Sequence, residues 1–243
     1  MTTNLISLKA SSIARGLSIT LLLLVIAGTI GQYALYFTNH RNLLNFVPLF
    51  YMDGERSVPT FFHVSILFFA AIPLWLIYLL KRKHSDRYAS RWAILSFGFL
   101  FMAYDLASGL HRKLTAPMHE MLGSSKIFLL NAAQHLGMFR YAWLIPYALI
   151  ALVCGLYFFK FWLSLPKQTR RIFLISAVSL LTGAIVFELF EGSYTSIHGE
   201  HNFTYVMLAT IDKSLQMGGI IYFIYGQLEY IAETYKNVSL QFE

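Results

Sequence analysis

The chain has 243 residues, of which 57% are hydrophobic and only 13% charged, against about 25% charged in an ordinary soluble domain. With a mean hydropathy of +0.56, it carries more apolar surface than a water-soluble core of this length can bury, which leaves lipid as the solvent. The net charge of +7 does not indicate nucleic acid, because most Lys and Arg stand in short links between apolar runs, with no basic aromatic platform beside them.

A spanning helix needs about 20 largely apolar residues, and six segments qualify: 17–37, 61–80, 92–110, 142–163, 172–190 and 205–230. The first follows Lys9 and Arg15 and reaches Phe37 without a small-residue cleavage site, so it reads as a retained span. After it, Asn39 to Thr60 carries the mixed-charge run Asp53, Gly54, Glu55, Arg56 and ends at Pro59 and Thr60 before the second span. Lys81, Arg82, Lys83, Arg87 and Arg91 crowd the link between spans two and three, and Lys167, Arg170 and Arg171 mark the link between four and five. Cationic links lie on the cytoplasmic side. The chain is therefore expected to be an all-α bundle of six transmembrane helices over 1–243, a multi-pass protein of the bacterial inner membrane with both ends cytoplasmic. The link between spans five and six, Glu191 to Thr204, has no Lys or Arg, as expected of the outer side. In the other long outer segment, Arg112 to Tyr141, the apolar piece Ile127 to Leu136 is too short to span and is expected at the membrane interface or folded back over the bundle.

Three acids fall inside spans: Asp105 in the third, Glu188 in the fifth and Asp212 in the sixth. A charged side chain at the centre of a spanning helix costs roughly 2.5–3.5 kcal/mol on insertion scales, so one that persists usually faces the bundle interior or water. At about 1.5 Å per residue, all three lie roughly 3–10 Å below the outer boundary, which predicts one outward-facing polar pocket. Asp212, Gln216 and Gly219 share a helix face at i, i+4 and i+7, as do Asp105, Ser108 and Gly109. Lys213 points about 100° away from Asp212 and is expected to pair with Glu188 or Asp105 or to reach the surface. His111 is turned off the Asp105 face and can join only at the mouth of the span.

Histidine and carboxylate suit zinc, iron or copper, so His111, Asp105, Glu188, Asp212 and the His198, His201 pair form a candidate set for a divalent metal. His119 with Glu120, and His135, lie in the outer segment. No HExxH, serine-nucleophile or phosphate-loop motif is present. The sole cysteine, Cys154, lies within an apolar run, so an intramolecular disulfide is excluded. Gly183, Gly218 and Gly219 are read as close helix contacts.

Four stretches together resemble a broad family of uncharacterised bacterial multi-pass membrane proteins: Asp105 to His111 (against the family's Asp-Glu-x-x-x-x-His, with Leu106 in place of the Glu), Gly183 to Glu188, Thr210 to Gly218, and Asp53 to Thr60. The resemblance implies six spans and nominates Asp105, His111, Glu188 and Asp212 as the polar positions. Leu106, Lys213 and Gln216 stand where the family tends to have further acids, which weakens a carboxylate-rich metal site here. The resemblance brings no reaction with it. Three functions fit these residues, in this order: a polar pocket binding or translocating a proton, a cation or a small polar solute; a membrane-embedded metal-dependent enzyme acting on a lipid or small molecule; and a non-catalytic subunit or assembly factor of a larger membrane complex. The expected partners are the lipid bilayer and other membrane subunits.

Overall fold

In the first long helix, Ile19, Leu22, Leu23, Ile26, Ile30, Tyr33 and Phe37 recur every three or four residues and are all exposed, a stripe suited to hydrocarbon or to a partner helix. The computed structural model describes residues 9–38, 45–123 and 142–235. Among them the regular structure is entirely helical. In chain order the elements are α1 (Ala10–Phe37), α2 (Phe46–Phe50), α3 (Val58–Lys83), α4 (Ala89–Ser108), α5 (Leu110–Lys113), α6 (Thr115–Gly123), α7 (Leu144–Ser164), α8 (Lys167–Leu181), a π-helical turn (Thr182–Phe187), α9 (Glu188–His198) and α10 (Phe203–Thr234). The expected interfacial segment Ile127 to Leu136, with His135, lies outside the described residues, as does the side chain of His119.

Among the described residues, four helices are long and apolar enough to cross a membrane: α1, α3, α7 and the continuous run Lys167–His198. A fifth candidate is a bent pair, Ala89–Ser108 followed by Leu110–Met118, with 67° between its arms. The sixth expected span lies within α10, which is long enough at 32 residues but too polar to stand among these candidates by composition. The reason is its position. α10 packs against α1, α3, α8 and the π turn, and it buries residues on every side, from Tyr205 through Asp212 and Gln227 to Tyr230. Other helices, rather than lipid, cover its polar groups.

Around α10 the core joins Leu74 and Ile77 of α3, Trp92 and Phe99 of α4, Phe173 of α8 and Phe223. The Trp92 ring stacks on Tyr230 at 5.1 Å and the Phe99 ring on Phe223 at 4.9 Å. Ser96 donates to the carbonyl of Ala71 at 2.8 Å, tying α4 to α3. Their link is clamped by Lys81, whose Nζ lies 2.9 Å from Asp86, and by the Tyr88 N–H, which donates to Asp86 at 2.8 Å. Partial burial alone would raise the Asp86 pKa, but these two donors outweigh it and hold the carboxyl below its ordinary value. The clamp is therefore intact at neutral pH and is lost only as pH falls through that lowered value.

Two local departures from regular helix set up the site. Gly109 ends α4 with φ +62°, the left-handed conformation that costs other residues about 1–2 kcal/mol, and the chain turns through the 67° bend there. Gly109→Ala should therefore lower stability by about 1–2 kcal/mol, read as a melting shift in detergent; an unchanged melting temperature would mean that the bend does not depend on this conformation. The π turn at 182–187 is the second departure. It holds one residue more than an α turn, so the helix beyond it is rotated by about 100° relative to an unbroken α-helix. Sequence had ended the fifth span at 190, with Glu191 to Thr204 as an outer loop. The helix instead continues to His198, because Glu188, Glu191, Gly192 and Thr195 form a buried stripe at i, i+3, i+4 and i+7.

Candidate functional site

α9, α10 and the turn before α3 each bring acids to one buried place. Asp212 is fully buried on α10 and Glu188 is buried on α9. Between them is the ammonium of Lys213, with Nζ 2.7 Å from Asp212, 3.1 Å from Glu188 and 3.7 Å from Asp53. Lys213 thus takes one of the three roles open to it in the sequence, that of partner to Glu188, and it also folds back onto its neighbour Asp212. The other oxygen of Asp212 accepts from Gln216 Nε2 at 2.7 Å, the i, i+4 contact that the helix face implied.

Asp53 comes from the turn ahead of α3. Ser57 caps that helix by accepting from the Thr60 N–H at 3.2 Å, and Thr60 Oγ1 donates to the Gly54 carbonyl at 2.7 Å. The turn so fixed presents Asp53 to α10, where the Tyr205 hydroxyl donates to it at 3.3 Å. The close approach of the π turn and α10 depends on Gly183: a Cβ there would meet the Asp212 carbonyl oxygen at 2.8 Å and Gln216 Cγ at 2.8 Å.

Two more members, like Asp53, were not read as site residues in the sequence. Glu191, one turn beyond Glu188, is 2% exposed, and its Oε1 has no hydrogen-bond partner. Its electrostatic neighbours are Lys213, Asp212, Glu188 and Asp53. His63 of α3 is buried and also faces Lys213. A loop assignment hid Glu191. His63, four residues after Pro59, was visible as the lone histidine of its span.

The expected meeting of all three spanning acids is not what the side chains do. Asp105 has its own partners: its Oδ1 accepts from the His111 N–H at 2.8 Å, and its Oδ2 lies 3.1 Å from His111 Nδ1. The Tyr147 hydroxyl of α7 interacts electrostatically with the same carboxylate. His111 packs on Trp143 with centroids 4.8 Å apart, and Trp143 on Tyr147 at 5.3 Å. His111 had been placed off the Asp105 face by counting 100° per residue; the break at Gly109 voids that count and swings the imidazole back. Ser108 is exposed and bonds its own helix at the Asp105 carbonyl. Arg112, next to His111, pairs with Glu55 of the turn before α3, so the bend is fastened to the turn that carries Asp53.

The nominated metal ligands are distributed accordingly. His198 is exposed and stacks on Tyr194 at 4.5 Å, and His201 is exposed. Among the described residues, no three His, Cys, Asp or Glu side chains are disposed to hold a metal ion. Where a cation would sit among Asp53, Glu188 and Asp212, the Lys213 ammonium already stands.

The sequence model of one protein family matches residues 16–228, a stretch that takes in the Lys213 cluster, the Asp105–His111 pair and most of every candidate spanning helix. The chain belongs to the DUF8692 family, a domain of unknown function. No curated protein and no solved structure matches it. Membership of DUF8692 agrees with the sequence resemblance in placing the chain in an uncharacterised family. It supplies no activity, so any reading of this DUF8692 chain rests on its own side chains.

Proposed function

We propose that this protein is a six-span membrane protein of the bacterial inner membrane, both ends cytoplasmic, in which the Lys213 cluster takes up and releases a proton on the outer side of the bundle. Five of the spans are supported by length and apolarity, and the sixth by an α10 whose polar residues are sheathed by its neighbours. The orientation rests on the basic links after α3 and before α8. The outer position of the cluster follows, since α9 and the start of α10 are joined at the opposite end.

The observation that carries the proton reading is the Glu191 carboxyl. Asp53, Glu188 and Asp212 share one ammonium, and Glu191 stands beside them buried, with an unpartnered oxygen. A fourth anion there has no counter-charge, and an isolated buried carboxylate is neutralised rather than left ionised. A proton is the smallest cation that does so without displacing Lys213.

Infrared difference spectra of the protein in lipid vesicles, taken across a pH step applied from outside, test this. The wild type should show a protonated-carboxyl band that changes with the step, and Glu191→Gln should abolish it while shifting the melting temperature little. A spectrum without a titrating carboxyl band, or one unchanged in Glu191→Gln, overturns the reading.

A further inference from the structure

Away from the charge cluster, α7 is set apart from its neighbours. Of its residues only Leu144 and Phe161 are buried, and between it and α4, α8 and α10 lies an apolar cavity of about 530 Å³, within the range of small-molecule sites. Its walls include Leu95 and Phe99 of α4, Phe158 of α7, Leu174 and Ala177 of α8, and Phe223 of α10. Cys154 and Phe159 of α7 also line it and are exposed, so the cavity opens sideways, where a membrane protein meets acyl chains.

Hydrophobicity alone does not choose an occupant; two polar features do. Arg91 precedes Leu95 by four residues and Arg170 precedes Leu174 by four, so each sits on the cavity face of its helix one turn nearer the basic end. Both are pinned to α7. Arg91 Nη1 donates to the Tyr157 carbonyl at 2.9 Å with its guanidinium 3.5 Å from the Tyr157 ring centroid. Arg170 lies 5.6 Å from the Trp162 ring centroid and donates to the Leu163 carbonyl at 3.4 Å. A guanidinium has five N–H donors, and these contacts leave each arginine with more to offer an anion at the cavity's rim. The second feature is Ser176, which lines the cavity, is 3% exposed, and has a hydroxyl oxygen with no hydrogen-bond partner. It lies six residues past Arg170, about 9 Å deeper along the helix.

We propose that this cavity is a binding site for an anionic glycerophospholipid, with the phosphate on Arg91 and Arg170, an ester carbonyl accepting from Ser176, and an acyl chain between α7 and α8. Basic pockets between spanning helices on the cytoplasmic side suit such headgroups. The proposal needs only that the bundle sits in a bilayer, and it stands or falls separately from the proton reading.

Two measurements on the full chain test it. In native mass spectrometry from detergent, phosphatidylglycerol should be retained over phosphatidylcholine by about 30-fold, roughly fivefold for each arginine, and the double variant Arg91→Gln, Arg170→Gln should bring the two lipids level. In the wild type, a fluorophore on Cys154, the single cysteine, should be quenched more by chain-brominated phosphatidylglycerol than by the brominated phosphatidylcholine. Retention that does not distinguish the lipids, a preference that survives in the double variant, or equal quenching by both would overturn it. The fluorophore arm holds even if the variants fail to fold.

Discussion

Lys213→Met is expected to cost about 3–5 kcal/mol of stability, the usual loss when one partner of a buried ion pair is removed and the other is left behind. Here the left-behind charge is larger than usual, because one ammonium serves Asp212 at 2.7 Å, Glu188 at 3.1 Å and Asp53 at 3.7 Å. Lys213→Arg keeps the charge and should lose less than half as much. Adding Asp212→Asn to Lys213→Met should recover part of the loss, since the two sites are in contact and do not behave additively. Thermal or denaturant melts in detergent give the comparison. A Lys213→Met protein that melts with the wild type would mean that these acids do not depend on Lys213.

The second large effect concerns two adjacent glycines. Gly219→Ala should destabilise by about 1–3 kcal/mol, the usual range for overpacking a tight contact, because the new Cβ would meet the Ser176 carbonyl oxygen at 2.8 Å and the Leu180 nitrogen at 2.9 Å. Those are backbone atoms of α8, so the two helices must move apart. Gly218→Ala meets nothing within 4 Å and should stabilise α10 by about 0.5–1 kcal/mol through helix propensity. Opposite signs at neighbouring positions are the diagnostic result. If both substitutions destabilise equally, the α8–α10 contact is not where these distances put it.

Such pairs show what a sequence can and cannot carry. Apolar length alone made the helices legible, and the i, i+4 spacing of Asp212 and Gln216 gave a contact that the side chains make. Gly218 and Gly219 looked alike as letters; only the direction of α8 separates a glycine in a helix contact from one in open space. Glu188 and Asp105 looked like partners because counting 1.5 Å per residue puts them at one depth, yet depth does not give azimuth. Azimuth was altered twice by backbone that periodicity does not see, at the left-handed Gly109 and in the wide turn at 182–187. Glu191 was lost to a loop because hydropathy falls before the helix ends. α10 was recognisable as a helix, but its place at the centre of the bundle followed from what surrounds it.

The ammonium shared between α9 and α10 also bears on how the chain enters its membrane. Glu188 and Glu191 emerge from the ribosome before Lys213 does, so the fifth hydrophobic stretch reaches the translocon with acids whose counter-ion has not yet been synthesised. A charge at the centre of a spanning helix costs roughly 2.5–3.5 kcal/mol and one nearer its outer end costs less, so lateral release is eased once the following stretch brings Lys213 to Glu188. These two stretches are thus expected to partition into lipid as one hairpin, and a ribosome stalled between them should leave the fifth stretch still able to be crosslinked to the translocon.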